Sequence, residues 1–147
     1  MTHKDAGKYA AKHPSDKTLN EQVARMVQEK SPGGELACAI AEKISKELGV
    51  GIPEVGIITD LLEIKIKKCQ LGLFGYGKKP NHGKDVQEAN SVSEEMKSTI
   101  EETAENGEVT CAVLWMIADH LGAKRKEVSA ACETLKIKIR KCQLGAF

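Results

Sequence analysis

Apolar positions follow helical spacing in two blocks of the chain that lie 73 residues apart. In each block, apolar residues first recur at intervals of three and four, which is the period of an amphipathic helix. This pattern predicts a first helix over residues 19–30 and its counterpart over residues 92–105. The inward-facing residues of these helices are Leu19, Val23, Met26 and Val27, and Val92, Met96, Thr99 and Ile100.

Two more helices are predicted in each block. A Pro-Gly-Gly run and an Asn-Gly pair break the first helix, and Gly49 and Gly122 end the second, as a left-handed residue after a helix does. The second helices are predicted over 35–48 and 108–121, and the third over 53–63 and 126–136. The predicted inward face of the second helix is Leu36, Ala39, Ile40, Ile44 and Leu48, and Val109, Ala112, Val113, Met116, Ile117 and Leu121.

After the third helix the apolar period changes from 3.6 to 2, which is typical of a strand. The near-identical runs IKIKKCQLG and IKIRKCQLG, at 64–72 and 137–145, show this alternation. A single strand leaves unpaired backbone groups at its edges. We therefore expect the two strands to pair with each other or with a second molecule.

An internal repeat explains why the blocks match. Residues 34–74 and 107–147 align without a gap, and 19 of these 41 positions are identical. Two copies are too few for a solenoid, so the repeat predicts a tandem pair of domains related by a pseudo-two-fold axis. The predicted divisions are a basic arm at 1–18, repeat 1 at 19–74, a linker at 75–91 and repeat 2 at 92–147.

The second and third helices of each repeat resemble the helix-turn-helix family. In repeat 2, Ile117 and Leu121 lie five and one residues before Gly122, Ala118 lies four before it, and Val128 lies six after it. The small residue permits close helix crossing, the glycine makes the sharp turn, and the aliphatic residues fill the angle. The strand after the third helix is similar to the winged-helix variant. The expected fold is mainly α with short β, two three-helix units each followed by a strand.

The resemblance implies that helix 3 enters the major groove of double-stranded DNA. Carried onto repeat 2, it places Lys124, Arg125, Lys126 and Ser129 at that surface. The strand cations can track phosphates, or can be the solvated side and edge protection of the strand. They are Lys138, Arg140 and Lys141.

Repeat 1 differs at the same positions, because Gly51, Ile52 and Pro53 carry no charge there and carboxylates flank them. We expect this apolar tip to contact protein rather than DNA. The predicted interaction surface comprises Ile52, Gly56 and Ile57. Trp115 makes the second helix of repeat 2 apolar nearly all round, which predicts a contact between the repeats or in a homodimer.

Composition narrows the function only slightly. The chain has 147 residues, of which 41% are hydrophobic, with 22 basic and 21 acidic side chains. These values exclude whole-chain disorder, and no apolar run is long enough to span a bilayer. The first residues lack the apolar core of a secretory signal, so we expect a cytoplasmic protein. The net charge of +1 is not a global signature of nucleic-acid binding, although the basic groups cluster locally.

Four of the five cysteines repeat with the same period: Cys38, Cys69, Cys111 and Cys142. None has the short spacing of a metal site, so core packing is the favoured interpretation and no metal or cofactor is expected. The chain contains no phosphate loop, zinc-protease motif or nucleophile elbow, so we expect no enzyme.

The sequence thus predicts a DNA-binding protein, and regulation of transcription is the favoured role. One alternative is a protein-interaction module on the same fold. Another, less favoured, is a sensor that uses the thiols or a metal.

Overall fold

The computed structural model describes residues 20–77 and 83–147. These residues form two compact units. The predicted basic arm at 1–18 and part of the predicted linker, residues 78–82, lie outside the described residues.

Unit 1 consists of the described residues up to Cys69 together with Gln143–Phe147. Its helices and strands confirm the three helices predicted for repeat 1. In chain order they are α1 (Glu21–Glu29), β1 (Glu35–Ala37), α2 (Cys38–Leu48), α3 (Ile52–Leu61) and β2 (Lys65–Lys67). Asn20 begins α1, because its side-chain oxygen accepts hydrogen bonds from the backbone N–H groups of Gln22 and Val23.

Unit 2 spans Gln70–Cys142. Its elements follow the same order: α4 (Glu94–Thr103), β3 (Glu108–Thr110), α5 (Cys111–Leu121), α6 (Arg125–Leu135) and β4 (Lys138–Arg140). The described residues are therefore mainly helical with short strands, as predicted. The side chains of Ser93 and Thr110 cap the starts of α4 and α5.

The strands pair differently from the prediction. Each predicted strand pairs in parallel with a short strand of its own repeat, β1 with β2 and β3 with β4. Residues 35–37 and 108–110, predicted as the first turn of helix 2, are these partner strands, and the expected pairing of β2 with β4 is wrong. Gly34 and Gly107, which precede β1 and β3, have φ of 80° and 75°. This left-handed backbone changes the direction of the chain between the preceding turn and the strand.

The buried face of the second helix also differs from the prediction. In α2 and α5 the buried residues are Cys38, Ala41, Ile44 and Ser45, and Cys111, Leu114, Trp115, Ile117 and Ala118. Ala39 and Ala112 are exposed, and Met116 is 68% exposed. The predicted stripe assumed a helix that starts at residue 35 or 108. The strands delay that start by three residues, and packing against the core selects a neighbouring face.

The glycine turns between the second and third helices are confirmed. Gly49 and Gly122 both have φ of 65°, and their N–H groups bond to the carbonyls of Ser45 and Ala118. A residue with a Cβ is strained in this left-handed conformation, whereas glycine is not. The turn is therefore fixed by the same backbone device in both repeats.

Replacing Gly122 tests this turn in isolation. A Cβ there would meet no atom within 4 Å, so Gly122→Ala should destabilise only through backbone strain. We expect a loss of about 1 kcal/mol in the free energy of unfolding, measured by urea denaturation. Gly122→Asn is the matched control and should lose less, because asparagine tolerates the left-handed region. Equal stability of the alanine variant and the parent chain would contradict this account.

Candidate nucleic-acid interface

Three consecutive cations occupy the start of α6, where the sequence predicts contact with DNA. Lys124 is the N-cap residue and is exposed, with an extended backbone and no side-chain capping bond. Its carbonyl accepts hydrogen bonds from the N–H groups of Glu127 and Val128, which starts the helix. The N–H groups of a helix start favour anions, so the charge of Lys124 lies where phosphate binding is physically favourable.

Arg125 does not extend into solvent. Its guanidinium lies over the indole ring of Trp115, 3.7 Å from the ring centroid. Its Nη1 donates a hydrogen bond of 2.9 Å to Gln70 Oε1, and its Nη2 lies 4.0 Å from Asp119 Oδ1. The side chain is only 17% exposed. Arg125 therefore joins α5, α6 and the start of unit 2, with its guanidinium stacked on Trp115 and bonded to Gln70.

Lys126 also has partners within unit 2. Its ammonium group pairs with the carboxylate of Asp85 and lies 5.2 Å from the centroid of the Tyr76 ring. The side chain stays 45% exposed, however. Exposed ion pairs of this kind are weak, since solvent screens them. Lys126 can therefore exchange its carboxylate partner for a phosphate, which Arg125 cannot do without giving up its stacking.

Asp85, the carboxylate partner of Lys126, belongs to a segment that runs along α6. We call Lys84–Ala89 the strap. The N–H groups of Asp85 and Val86 donate to the carbonyl of Gly72, and the N–H of Ala89 donates to Thr134 Oγ1. Ion pairs join Lys84 to Glu133 and Glu88 to Lys136. The strap thus lies in the predicted linker but is fixed to the third helix of repeat 2.

The ion pair between Glu88 and Lys136, at the end of the strap, shifts the pKa of both groups. The hydrogen bond from Lys136, followed by its charge, holds the pKa of Glu88 below the usual value. The same hydrogen bond and the charge of Glu88 raise the pKa of Lys136. Both groups are thereby held in their charged forms.

Ser129 corrects the predicted contact set. It is fully buried on the inner side of α6, and its Oγ has no hydrogen-bond partner among the described residues. The prediction that Ser129 faces DNA is therefore wrong, because the helix directs this position into the core of unit 2.

The cations in β4 and directly after it are exposed as predicted. Lys138 and Lys141 make no ion pair within residues 20–77 and 83–147. Arg140 Nε lies 2.6 Å from Glu108 Oε2 on the paired strand β3, and both side chains remain about half exposed. Lys124, Lys126, Lys138, Arg140 and Lys141 are thus the accessible cations of the predicted set.

The predicted interaction surface of repeat 1 is largely covered by the chain itself. Ile52 and Ile57 are half-buried, and Gly56 is buried beneath the backbone of Leu144. Trp115 is 6% exposed, with Arg125 of the same unit across its ring. Gly56 and Trp115 are therefore not open contact surfaces, since residues of their own units cover them.

The cysteines agree with core packing. Cys38, Cys69, Cys111 and Cys132 are buried, and Cys142 is half-buried. Burial, with a smaller contribution from the charge of Glu133, raises the pKa of Cys132 to about 12. No group of three or more potential metal ligands occurs in the part of the chain that the structure describes.

Sequence reasoning missed the strap and the stacking of Arg125. One signal for the stacking is that the repeats differ at both of its positions. Repeat 2 has Trp115 and Arg125, whereas repeat 1 has Glu42 and Ile52. The strap had no comparable signal, because its counterpart in repeat 1 precedes the aligned region.

The chain matches no protein-family model, no curated protein and no solved structure. Among residues 20–77 and 83–147, no helix is long and apolar enough to cross a membrane. The function is therefore inferred from the site itself.

The single tryptophan makes the role of Arg125 measurable. Arg125→Ala removes the stacked cation and the bond to Gln70, so the emission of Trp115 should shift to the red. The free energy of unfolding should fall by about 1–2 kcal/mol, since the stacking is partly desolvated. Lys124→Ala removes the same charge from the adjacent exposed residue and should change neither property. Identical emission from the two variants would show that Arg125 does not cover the indole.

Proposed function

We propose that the protein binds double-stranded DNA through phosphate contacts made by unit 2. The observation that carries the proposal is the set of accessible cations at the start of α6 and along β4. Lys124, Lys138 and Lys141 have no ion-pair partner among the described residues, and Lys126 and Arg140 hold exposed carboxylates that phosphate can replace. Regulation of transcription is the role that the helix-turn-helix resemblance implies for such binding.

The site favours recognition of the DNA backbone over reading of bases. Bidentate pairing with guanine is the usual base contact of arginine, but the guanidinium of Arg125 is engaged with Trp115 and Gln70. Lysine ammonium groups act on phosphate as point charges and carry little sequence information. We therefore expect strong salt dependence and modest sequence preference.

Repeat 1 lacks the cations at the start of the third helix, although Lys65, Lys67 and Lys68 match the cations at Lys138, Arg140 and Lys141. Gly51, Ile52 and Pro53 stand where repeat 2 has its three cations, and Glu54 adds a negative charge to the first turn of α3. The start of α3 is therefore not a second DNA-contacting surface in this proposal.

A triple substitution tests the proposal directly. Replacing Lys124, Lys138 and Lys141 with alanine should weaken binding to labelled duplex DNA in fluorescence anisotropy. The log–log salt slope should fall by about 2–3, since each neutralised phosphate contributes ~0.9. The matched control replaces Lys30, Lys43 and Lys46, exposed in unit 1, and changes the net charge equally. Equal loss in both variants, or no binding by the parent chain at low salt, would contradict the proposal.

Asp85→Asn tests whether Lys126 takes part. The substitution removes the carboxylate that competes with phosphate for this ammonium group. DNA affinity should rise by ~1.5–5-fold at low salt, the range that an exposed ion pair supports. Asp119→Asn removes the same charge beside Arg125 and should have a smaller effect. An unchanged affinity in the Asp85 variant would exclude Lys126 from the contact.

A second candidate function is a protein-interaction module. Met116 is the exposed large hydrophobic residue of the described chain, at 68%, and Ala112 on the same face of α5 is also exposed. Absence of DNA binding at low salt would favour this alternative, because the cations would then be ordinary solvated surface.

A further inference from the structure

Each repeat carries a five-residue segment of the pattern Gln-Leu-Gly-X-Phe after its second strand. We call Gln70–Phe74 segment 1 and Gln143–Phe147 segment 2. The compact units divide these segments reciprocally: segment 2 belongs to unit 1, and unit 2 begins at Gln70. Each unit therefore contains the segment that the other repeat supplies.

Segment 2 is fitted closely to unit 1. Gly56 on α3 is buried, and a Cβ built there would overlap the backbone carbonyl of Leu144. Leu144 is 3% exposed and Ala146 is 8% exposed, so both lie in the core. We call the surface of α3 at Gly56 the seat. Only glycine permits this approach of backbone to helix, which makes the seat specific for a closely docked segment.

Segment 1 is held in unit 2 by contacts with α6 and with the strap. Gln70 accepts the hydrogen bond from Arg125 on α6, and Leu71 is fully buried. The position that matches Gly56 is Ser129, which is also fully buried. Each unit thus buries a leucine from the segment that it holds, and the seat of unit 1 requires glycine.

A repeat does not supply the segment for its own seat, so the segment for the seat of unit 1 can come from repeat 2 of the same chain or of a second chain. We propose that the seat at Gly56 is a docking site for segment 2 of a second copy of this chain. When two chains exchange segment 2, each unit 1 makes the same contacts with the segment of the other chain that it makes with its own segment in the monomer. Such reciprocal exchange gives a closed symmetric dimer at little energetic cost.

The chain offers a hinge for the exchange. Lys141 has φ of 54° and lies two residues before segment 2, where the chain leaves β4. A residue with a Cβ in this region stores backbone strain, and a change of its dihedral angles redirects everything that follows. Because the docked contacts are the same in both forms, protein concentration sets the ratio of monomer to dimer.

Complementation between two full-length variants tests the proposal. Gly56→Leu blocks the seat and leaves segment 2 intact, whereas Leu144→Glu disables the segment and leaves the seat intact. An equimolar mixture should form a one-to-one heterodimer in native mass spectrometry, at least tenfold more than the dimer in either solution alone. The control chain carries both substitutions and should form no heterodimer with Leu144→Glu, since neither then offers a segment. A mixture no more dimeric than its folded components would overturn the proposal.

The unmodified chain provides a second test that does not depend on the folding of the variants. It is unfolded in denaturant and refolded at increasing protein concentration. Exchange predicts that the dimer fraction rises with the refolding concentration and survives rapid dilution, because reopening requires segment 2 to leave the core. Monomer alone at every refolding concentration would overturn the proposal.

Discussion

The parallel strand pair is the constraint on which each unit depends. In unit 1, Leu36 lies opposite Ile66, and in unit 2, Val109 lies opposite Ile139. The two strands of a pair flank the second and third helices in the chain, so their hydrogen bonds fix both ends of that helix pair at once. The glycine turn then sets the angle between the helices. Strands of three residues suffice here because their facing side chains are shielded from solvent: Leu36, Ile66 and Val109 are buried, and Ile139 is half-buried.

The same backbone supports two different surfaces. The left-handed residues recur at matching positions of the repeats, including Glu63 with Lys136 and Lys68 with Lys141. The side chains on that backbone differ where the third helix begins, since Arg125 is stacked on Trp115 only in repeat 2. The repeats therefore share their turns, while the side chains at the start of the third helix differ.

The spacing of apolar residues predicted the parts of this structure that depend on neighbouring residues in the chain. Six helices and both glycine turns follow from apolar spacing and helix-breaking residues, and the described residues confirm them. The strands β1 and β3 were missed because three residues are too few to show a period, and Leu36 and Val109 also fit a helical stripe. Their pairing joins residues about 30 positions apart, which no local pattern encodes.

The candidate site was predicted less well, for a related reason. Sequence shows where charge lies, but the partners of a charge come from distant segments. Asp85 lies 41 residues from Lys126 and Gln70 lies 55 from Arg125. Ser129 was misassigned because position in a motif does not decide which side of α6 faces the core. Exposure of Lys124, Lys138 and Lys141 agrees with their polarity, as ammonium groups avoid burial.

The proposed division of roles between the units leads to one direct measurement. Backbone amide shifts recorded by NMR during titration with duplex DNA would locate the contact residue by residue. The shifts should concentrate at the start of α6 and along β4, while Ile52 and Ile57 in α3 stay unchanged. Shifts centred on α3, or on the face of α5 that carries Met116, would contradict the proposal.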